Sequence, residues 1–561
     1  MQLSKSLFLL TWMCLFFSNF FVSGVPINPL GFDLPLTSVS LLWNATKSVL
    51  NVFISHQDNT LVIENGIISV YDLGNKSNSD SFDLWLKEQT NISFTRILDN
   101  IGGIGSNLQN VSEGAVIASP SKSKPNYFYQ WIRDAAITMQ SLIEYLKDHS
   151  DDNNTPYSKK LRFAIESYIV NNYILQHLDT KSGTWESGDT LGEPKFLVDS
   201  TPFNEHWGRP QRDGPGLRVI TIADYLKYLE NNKIDISHKK LPSSKYIYEE
   251  IVKKDLTYVI NSWNKIGFDL WEEVNSFHFF TSITMLKALK VGIELAVQFQ
   301  DDTFLSRLRI AFTSLRMFIL IESGFKDAKI PYIIETPSLT GERSGLDIGS
   351  ILGCLRSHDL NDGTDLIAIP FSLTDSAVMG SLIGLINDMK YRYPINHEKG
   401  NFNNGFALGR YPEDVYDGYG LSEGNPWFIA TASAAEFIFK LAYHLYDQKL
   451  DLVITKDQYA FYSTFINLNP NIQEDKVIMP FASKAFIKTT LSLLNYGDTF
   501  LEVIKLHVAA GGHMSEQFNR YTGYLEGAED LTWSYGSFWS ATRWRDKALD
   551  NMNNNSVYIG N

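Results

Sequence analysis

From about Asp80 onward, apolar side chains keep returning at helical spacing, and the segments between them are polar and aromatic. Leu161, Ala164, Ile165, Tyr168 and Ile169 fall at i, i+3, i+4, i+7 and i+8. Phe304, Leu308, Ala311, Phe312 and Leu315 repeat the pattern, and Phe428 to Tyr446 is another long apolar stretch. The intervening clusters centre near Trp131, Trp207, Glu272, Asp347, Arg410 and Glu516, with gaps of about 63–76 residues and a last gap of about 106. A helix hairpin with its loops takes roughly that length. Six hairpins, each bringing one loop to the same end, would close into a barrel of helix pairs. The pattern predicts an all-α chain.

Residues 25 to about 80 read differently. Val49 to Ile54 and Leu61 to Ile63 look like strands, and Asn65-Gly66 ahead of Ile67 to Val70 is a two-residue hairpin signal. A small β-containing extension is expected at 25–80, then the helical body at 81–548 and a tail at 549–561. Ahead of these, Lys5, the apolar run Leu7 to Phe21 and the small-residue site Val22 to Gly24 read as a secretory signal over 1–24. No later stretch approaches about 20 uninterrupted apolar residues, so no membrane segment is expected. Six Asn-x-Ser/Thr triplets, at Asn44, Asn75, Asn91, Asn110, Asn153 and Asn554, are candidate glycosylation sites and fit a secretory route. Once Cys14 leaves with the signal, Cys354 is the only cysteine; it reads as a buried small hydrophobe, and the core must supply the stability. A formal net charge of -14 argues against a nucleic-acid partner, since phosphates need a basic surface.

The run Asp269-Leu270-Trp271-Glu272-Glu273-Val274-Asn275 places three carboxylates within five residues of an aromatic ring. It reads as helical, with Asp269 and Glu272 on one face and Glu273 turned away. A carboxyl pressed against Trp271 and the apolar residues that follow should keep its proton to higher pH, as a general acid must. The bland alternative is a solvated acidic turn. The Arg133-Asp134 pair, framed by Tyr127 and Trp131, is either a structural ion pair at a helix start or a set of hydroxyl binders between stacking rings. Trp207 to Pro215 is a Gly- and Pro-rich loop presenting a tryptophan; Gly409 to Asp414, Asn425 to Phe428, His513 to Phe518 and Asp530 to Tyr535 complete the clusters.

Taken together, these segments resemble the glucoamylases, inverting exo-acting glycoside hydrolases that release β-glucose from the non-reducing ends of starch-type chains. The matching stretches run in family order over about 450 residues: "GAVIASPSKSKPNYFYQWIRD" (114–134), "LGEPKF" (191–196), "WGRPQRDGPGLR" (207–218), "GFDLWEEVNSFHFFT" (267–281), "SGLD" (344–347), "GRYPEDVYDGYGLSEGNPWF" (409–428), "MSEQFNRYTG" (514–523) and "LTWSY" (531–535). The yeast branch of the family is the nearest in pattern. The resemblance implies a six-fold (α/α) barrel, Glu272 as general acid and Glu516 as general base. An inverting pair stands about 6.5–9.5 Å apart, leaving room for a water. Asp269 is the ambiguous carboxylate: it would raise the acid's pKa from one helical turn away, or act as base itself. Arg133, Asp134 and Arg410 would hold the terminal glucose, with Tyr127, Trp131, Trp207, Trp427 and Trp533 as walls and Glu273 on the next residue outward. Substrates would be starch, glycogen or maltooligosaccharides, cleaved at α-1,4 and more slowly at α-1,6 linkages.

No cofactor or metal is implied; the histidines lack ligand spacing, and His278 and His513 read as structural or pocket-wall residues. Gly216 and His278 depart from otherwise matching motifs. No Ser/Thr-rich linker or starch-binding module is expected after Tyr535. A monomer is expected, released from the cell, or held in a vacuole or wall. Two rivals share these residues: a trehalose-cleaving α-glucosidase, and a sugar-binding glycoprotein that has lost catalysis.

Overall fold

The computed structural model describes residues 60–64, 69–70, 79–105, 108–358, 368–397, 405–468 and 475–556. The expected signal (1–24), the strand at Val49 to Ile54 and the Asn65-Gly66 turn lie outside the described residues.

Among the described residues, twelve principal helices alternate between two layers. They are α1 (Ser79–Asp99), α2 (Ile132–Asp148), α3 (Pro156–Gln176), α4 (Asp213–Asn232), α5 (Lys253–Ser262), α6 (Phe279–Gln298), α7 (Asp302–Met317), α8 (Ile348–Ser357), α9 (Ser376–Arg392), α10 (Phe428–Asp447), α11 (Lys484–His507) and α12 (Thr532–Ser556). Sequence decides the layer. In α10 every residue from Phe428 to Ala442 is buried, which demands neighbours all round. In α7 only Phe304, Leu308, Ala311, Phe312 and Leu315 are buried, the single stripe of an outer helix. The even-numbered helices pack each on the next, and α12 returns to α2, closing an inner ring that the odd-numbered helices surround. This is the expected all-α, six-fold (α/α) barrel. The last helix continues to Ser556, past the 548 boundary.

The inner helices all start at one end. The outer helices α3, α7, α9 and α11 begin with side-chain caps from Thr155, Asp301, Asp375 and Ser483. By contrast α2, α4, α6 and α10 have Trp131, Arg212, His278 and Trp427 at the cap position, with no side-chain cap bond. Their positive ends open toward the connecting loops. At the opposite end a hollow of about 600 Å³ is lined by Glu144, Lys147, Lys287, Arg356, Lys440 and Arg543. There Arg356 pairs with Glu436 at 3.0 Å and Lys440 donates to the Leu355 carbonyl at 3.0 Å, so cations meet the negative ends of the inner helices.

Short strands pin the loops: β3 (Gln130–Trp131) with β4 (Lys195–Phe196), β5 (Gly267–Phe268) with β6 (Asn275–Ser276), and β10 (Gln517–Phe518) with β11 (Leu525–Glu526), all antiparallel. Among the described residues, the strands on either side of residues 65–68 pair elsewhere. β1 (Thr60–Val62) pairs in parallel with β9 (Lys476–Met479), and β2 (Ser69–Val70) pairs with β8 (Ile466–Asn467). β7 (Leu452–Thr455) completes the sheet on β9.

Candidate active site

At the loop end of the ring, a pocket is lined by Tyr127, Trp131, Arg133, Asp134, Leu270, Trp271, Glu272, Arg410, Trp427, Glu516 and Trp533, among others. Nine of the residues singled out from sequence meet there. Asp269, Trp207 and Glu273 do not line it and lie one layer out.

The Glu272 segment is not helical. Residues 269–274 form the tight turn between β5 and β6, and Glu272 itself has φ of 68°, a left-handed conformation that strains any residue but glycine. Asp269 makes the turn: its Oδ1 accepts the backbone N–H groups of Glu273 and Val274, each at 2.7 Å. It is therefore a buried turn-former and not a neighbour along a helix face, and burial pushes its carboxyl up. His278 closes the base of the turn, its Nε2 lying 3.1 Å from the Gly267 carbonyl and 2.9 Å from that of Val274. That is a structural role, and it accounts for a histidine at this place.

Nor is Glu272 pressed into an apolar niche by Trp271. Its Oε1 accepts from Trp131 Nε1 at 2.7 Å and from Gln211 Nε2 at 2.8 Å, with Arg133 at 3.7 Å. Trp271 turns its N–H to both oxygens of Asp347 at 3.0 Å and packs on Trp427. The donors around Glu272 are placed to receive its carboxylate oxygen once a proton has been given away.

Glu516 stands just ahead of β10, 1% exposed, its backbone N–H donating to the Ala528 carbonyl at 2.9 Å. Burial pushes its carboxyl up to about 8, against the pull of hydrogen bonds from Tyr127 and Tyr416 and of the Arg410 charge. Gly527 has φ of 73°, and a Cβ there would fall 2.4 Å from Glu516 Oε2. Only glycine fits beside that carboxyl.

The polar residues of the floor are held from outside. Arg133 donates to Asp213 at 2.8 Å and to Gln211 at 2.9 Å, while its contact with Asp134 is 3.8 Å. Burial pushes Asp134 up to about 6. Arg410 donates to Asp414 and Glu273, its guanidinium 5.3 Å from the centres of Trp271, Tyr411, Tyr416 and Trp427. Glu273, tied to Arg410 at 2.8 Å and Arg343 at 3.2 Å, is the more exposed of the two adjacent glutamates. Trp207 backs Trp131 at 6.2 Å. The buried Nε1 atoms of Trp427 and Trp533 have no protein partner, an expense of about 1–3 kcal/mol each that a bound hydroxyl would return.

Sequence reasoning left Tyr416, Asp347 and Lys195 out of the site, though each sits inside a matching stretch. Their places depend on contacts from distant loops.

Comparison with known proteins decides the family. The model for glycosyl hydrolases family 15 matches residues 92–543. The chain belongs to that family. It is 38% identical over 508 residues to the intracellular sporulation-specific glucoamylase of Saccharomyces cerevisiae, covering 88% of this chain and 89% of that one. A glucoamylase of Saccharomycopsis fibuligera is 38% identical over 488 residues, covering 84% and 92%. Among solved structures, a glucoamylase from Saccharomycopsis fibuligera superposes with a TM-score of 0.78 at 36% identity, over 87% of this chain and 98% of that one. The family 15 glucoamylase from Hypocrea jecorina gives 0.72 at 32% identity, over 83% and 72%.

Proposed function

We propose that this family 15 hydrolase is a glucan 1,4-alpha-glucosidase that removes β-D-glucose from the non-reducing ends of starch, glycogen or maltooligosaccharides. One observation carries the reading: Glu272 and Glu516 line the same pocket as Arg133, Asp134, Arg410 and a ring of aromatics. Glu272 protonates the glycosidic oxygen, and its carboxylate is then received by Trp131, Gln211 and Arg133. Glu516 takes a proton from the water that attacks the opposite face of the sugar. That step needs the carboxylate, so Tyr127, Tyr416 and Arg410 have to win ionisation back from burial. Asp269 shapes the acid's turn. Arg133, Asp134 and Arg410 bind the terminal glucose, Tyr127, Trp131, Trp427 and Trp533 wall it, Trp207 supports Trp131, and Glu273 reaches the next sugar. A pocket of this kind accepts chain ends, because an internal residue cannot be buried in it. Cleavage at α-1,6 linkages is the slower reaction.

Proton NMR of maltoheptaose hydrolysis in its first minutes tests this. Early β-glucose is expected; early α-glucose would replace the base with a nucleophile and overturn the mechanism, and trehalose cleaved faster than maltooligosaccharides would overturn the substrate.

The protein acts as a monomer after secretion, with 1–24 as the signal. No helix among the described residues is long and apolar enough to cross a membrane. Asn91, Asn110 and Asn554 are exposed and are the glycan acceptors. The Asn153 amide is engaged, donating to Asn232 at 3.0 Å; Asn44 and Asn75 lie outside the described residues. Site-by-site mass spectrometry of the protein recovered from culture medium checks both statements.

A further inference from the structure

Lys195 stands on β4 directly across from Trp131 in the β3–β4 register. It is 2% exposed. Its ammonium lies 3.1 Å from the ring centre of Trp207, 4.2 Å from Phe203, 4.5 Å from Tyr129 and 4.6 Å from Trp131. A methionine or leucine would fill such an aromatic box without the desolvation that a charge entails. The box alone therefore does not explain a lysine, but its position does. The Trp131 ring that Lys195 touches is the ring whose N–H meets Glu272. The charged groups facing the ammonium are Glu272, Arg209 and Glu193. Arg209 and Glu193 are paired with each other at 2.6 Å, which leaves Glu272 as the carboxyl group that Lys195 senses most.

We propose that Lys195 is a positioning residue for the general acid: its ammonium holds Trp131 and Trp207 so that the indole N–H meets Glu272, and its charge stabilises the Glu272 carboxylate that forms as the proton leaves. This rests on Glu272 being the acid. Burial pulls the Lys195 ammonium down to about 7, so the support is present below that pH and is lost above it.

The test uses the full-length enzyme with Lys195→Met and Lys195→Arg, read on maltose and on α-glucosyl fluoride, whose leaving group needs little proton. Lys195→Met should lower kcat on maltose about tenfold or more, with KM little changed and a much smaller loss on the fluoride. Lys195→Arg should keep most of kcat and move the alkaline limb of the pH profile upward, since a guanidinium stays charged. Parental kcat and profile in Lys195→Met would overturn the proposal. So would equal losses on both substrates, which mean packing alone. If Lys195→Met does not fold, the Lys195→Arg profile decides: a raised limb supports the proposal and an unmoved one overturns it. Glu272→Gln assayed in parallel separates the two readings. Full activity there sinks the acid assignment, whereas an inactive Glu272→Gln beside a normal Lys195→Met sinks only the role of Lys195.

Discussion

Trp131 Nε1 and Glu272 Oε1 are 2.7 Å apart, although 141 residues separate them along the chain. The bond joins the loop ahead of α2 to the loop ahead of α6, so the acid is held by a part of the ring that it does not belong to. Trp131→Phe keeps the ring and removes the donor. A hydrogen bond to a charged group is worth about 1.5–3 kcal/mol. Steady-state kinetics on maltose should show kcat down roughly 10- to 100-fold with KM much less affected.

Glu272→Gln and Glu516→Gln should each lower kcat by about 10²–10⁴, the range of a lost proton-transfer group. Asp269→Asn keeps an oxygen able to accept from the Glu273 and Val274 N–H groups and should lose less. Equal collapse of Asp269→Asn and Glu516→Gln on maltoheptaose would reopen the choice of base.

The Tyr416 hydroxyl lowers the Glu516 pKa. Removing it in Tyr416→Phe leaves burial less opposed, so the carboxyl titrates higher. Because the base works ionised, the ascending limb of the kcat/KM profile should move to higher pH, with the greater loss on the acid side. In the parent enzyme that limb should already lie above the range of an exposed carboxyl.

Gly527→Ala would place a methyl 2.4 Å from Glu516 Oε2 and force a side chain into φ of 73°. The strain alone is about 1–3 kcal/mol. Thermal unfolding should show a lower Tm, and activity at permissive temperature should fall as well, because the displaced group is the base.

Away from the pocket, Arg218 grips Asp255 through Nε at 2.7 Å and NH2 at 2.6 Å, both residues buried between α4 and α5. Breaking such a pair costs about 3–5 kcal/mol. Asp255→Leu should lower Tm strongly while leaving kcat near the parental value at low temperature, as measured by calorimetry and initial rates.

The helices were legible because their apolar spacing is local and the core reads it directly: Leu161, Ala164, Ile165, Tyr168 and Ile169, and Phe304, Leu308, Ala311, Phe312 and Leu315, are buried as the pattern predicts. The run from Asp269 to Asn275 was not. Its residues are compatible with a helix, but the Asp269 carboxylate captures the N–H groups that a helix would use, and nothing in composition announces a glutamate at positive φ. The pairings of β1 and β2 could not be read locally either, since their partners β9 and β8 lie some 400 residues away and such pairing depends on the fold already built. Glu272 and Glu516 were singled out through segments that resemble a family, whereas Tyr416 beside Glu516 and Lys195 against Trp131 owe their places to distant loops.

The ring closes where α12 meets α2, and β1 finds its place only on β9. During synthesis the first helices leave the ribosome with apolar flanks whose partners are hundreds of residues from being made. The inner layer cannot be sealed until residues 532–556 arrive. Until then the half-made barrel is an open row of helices whose apolar flanks lack their native cover. A stop codon placed just ahead of the last helix would leave no shortened enzyme, only a ring that never shuts.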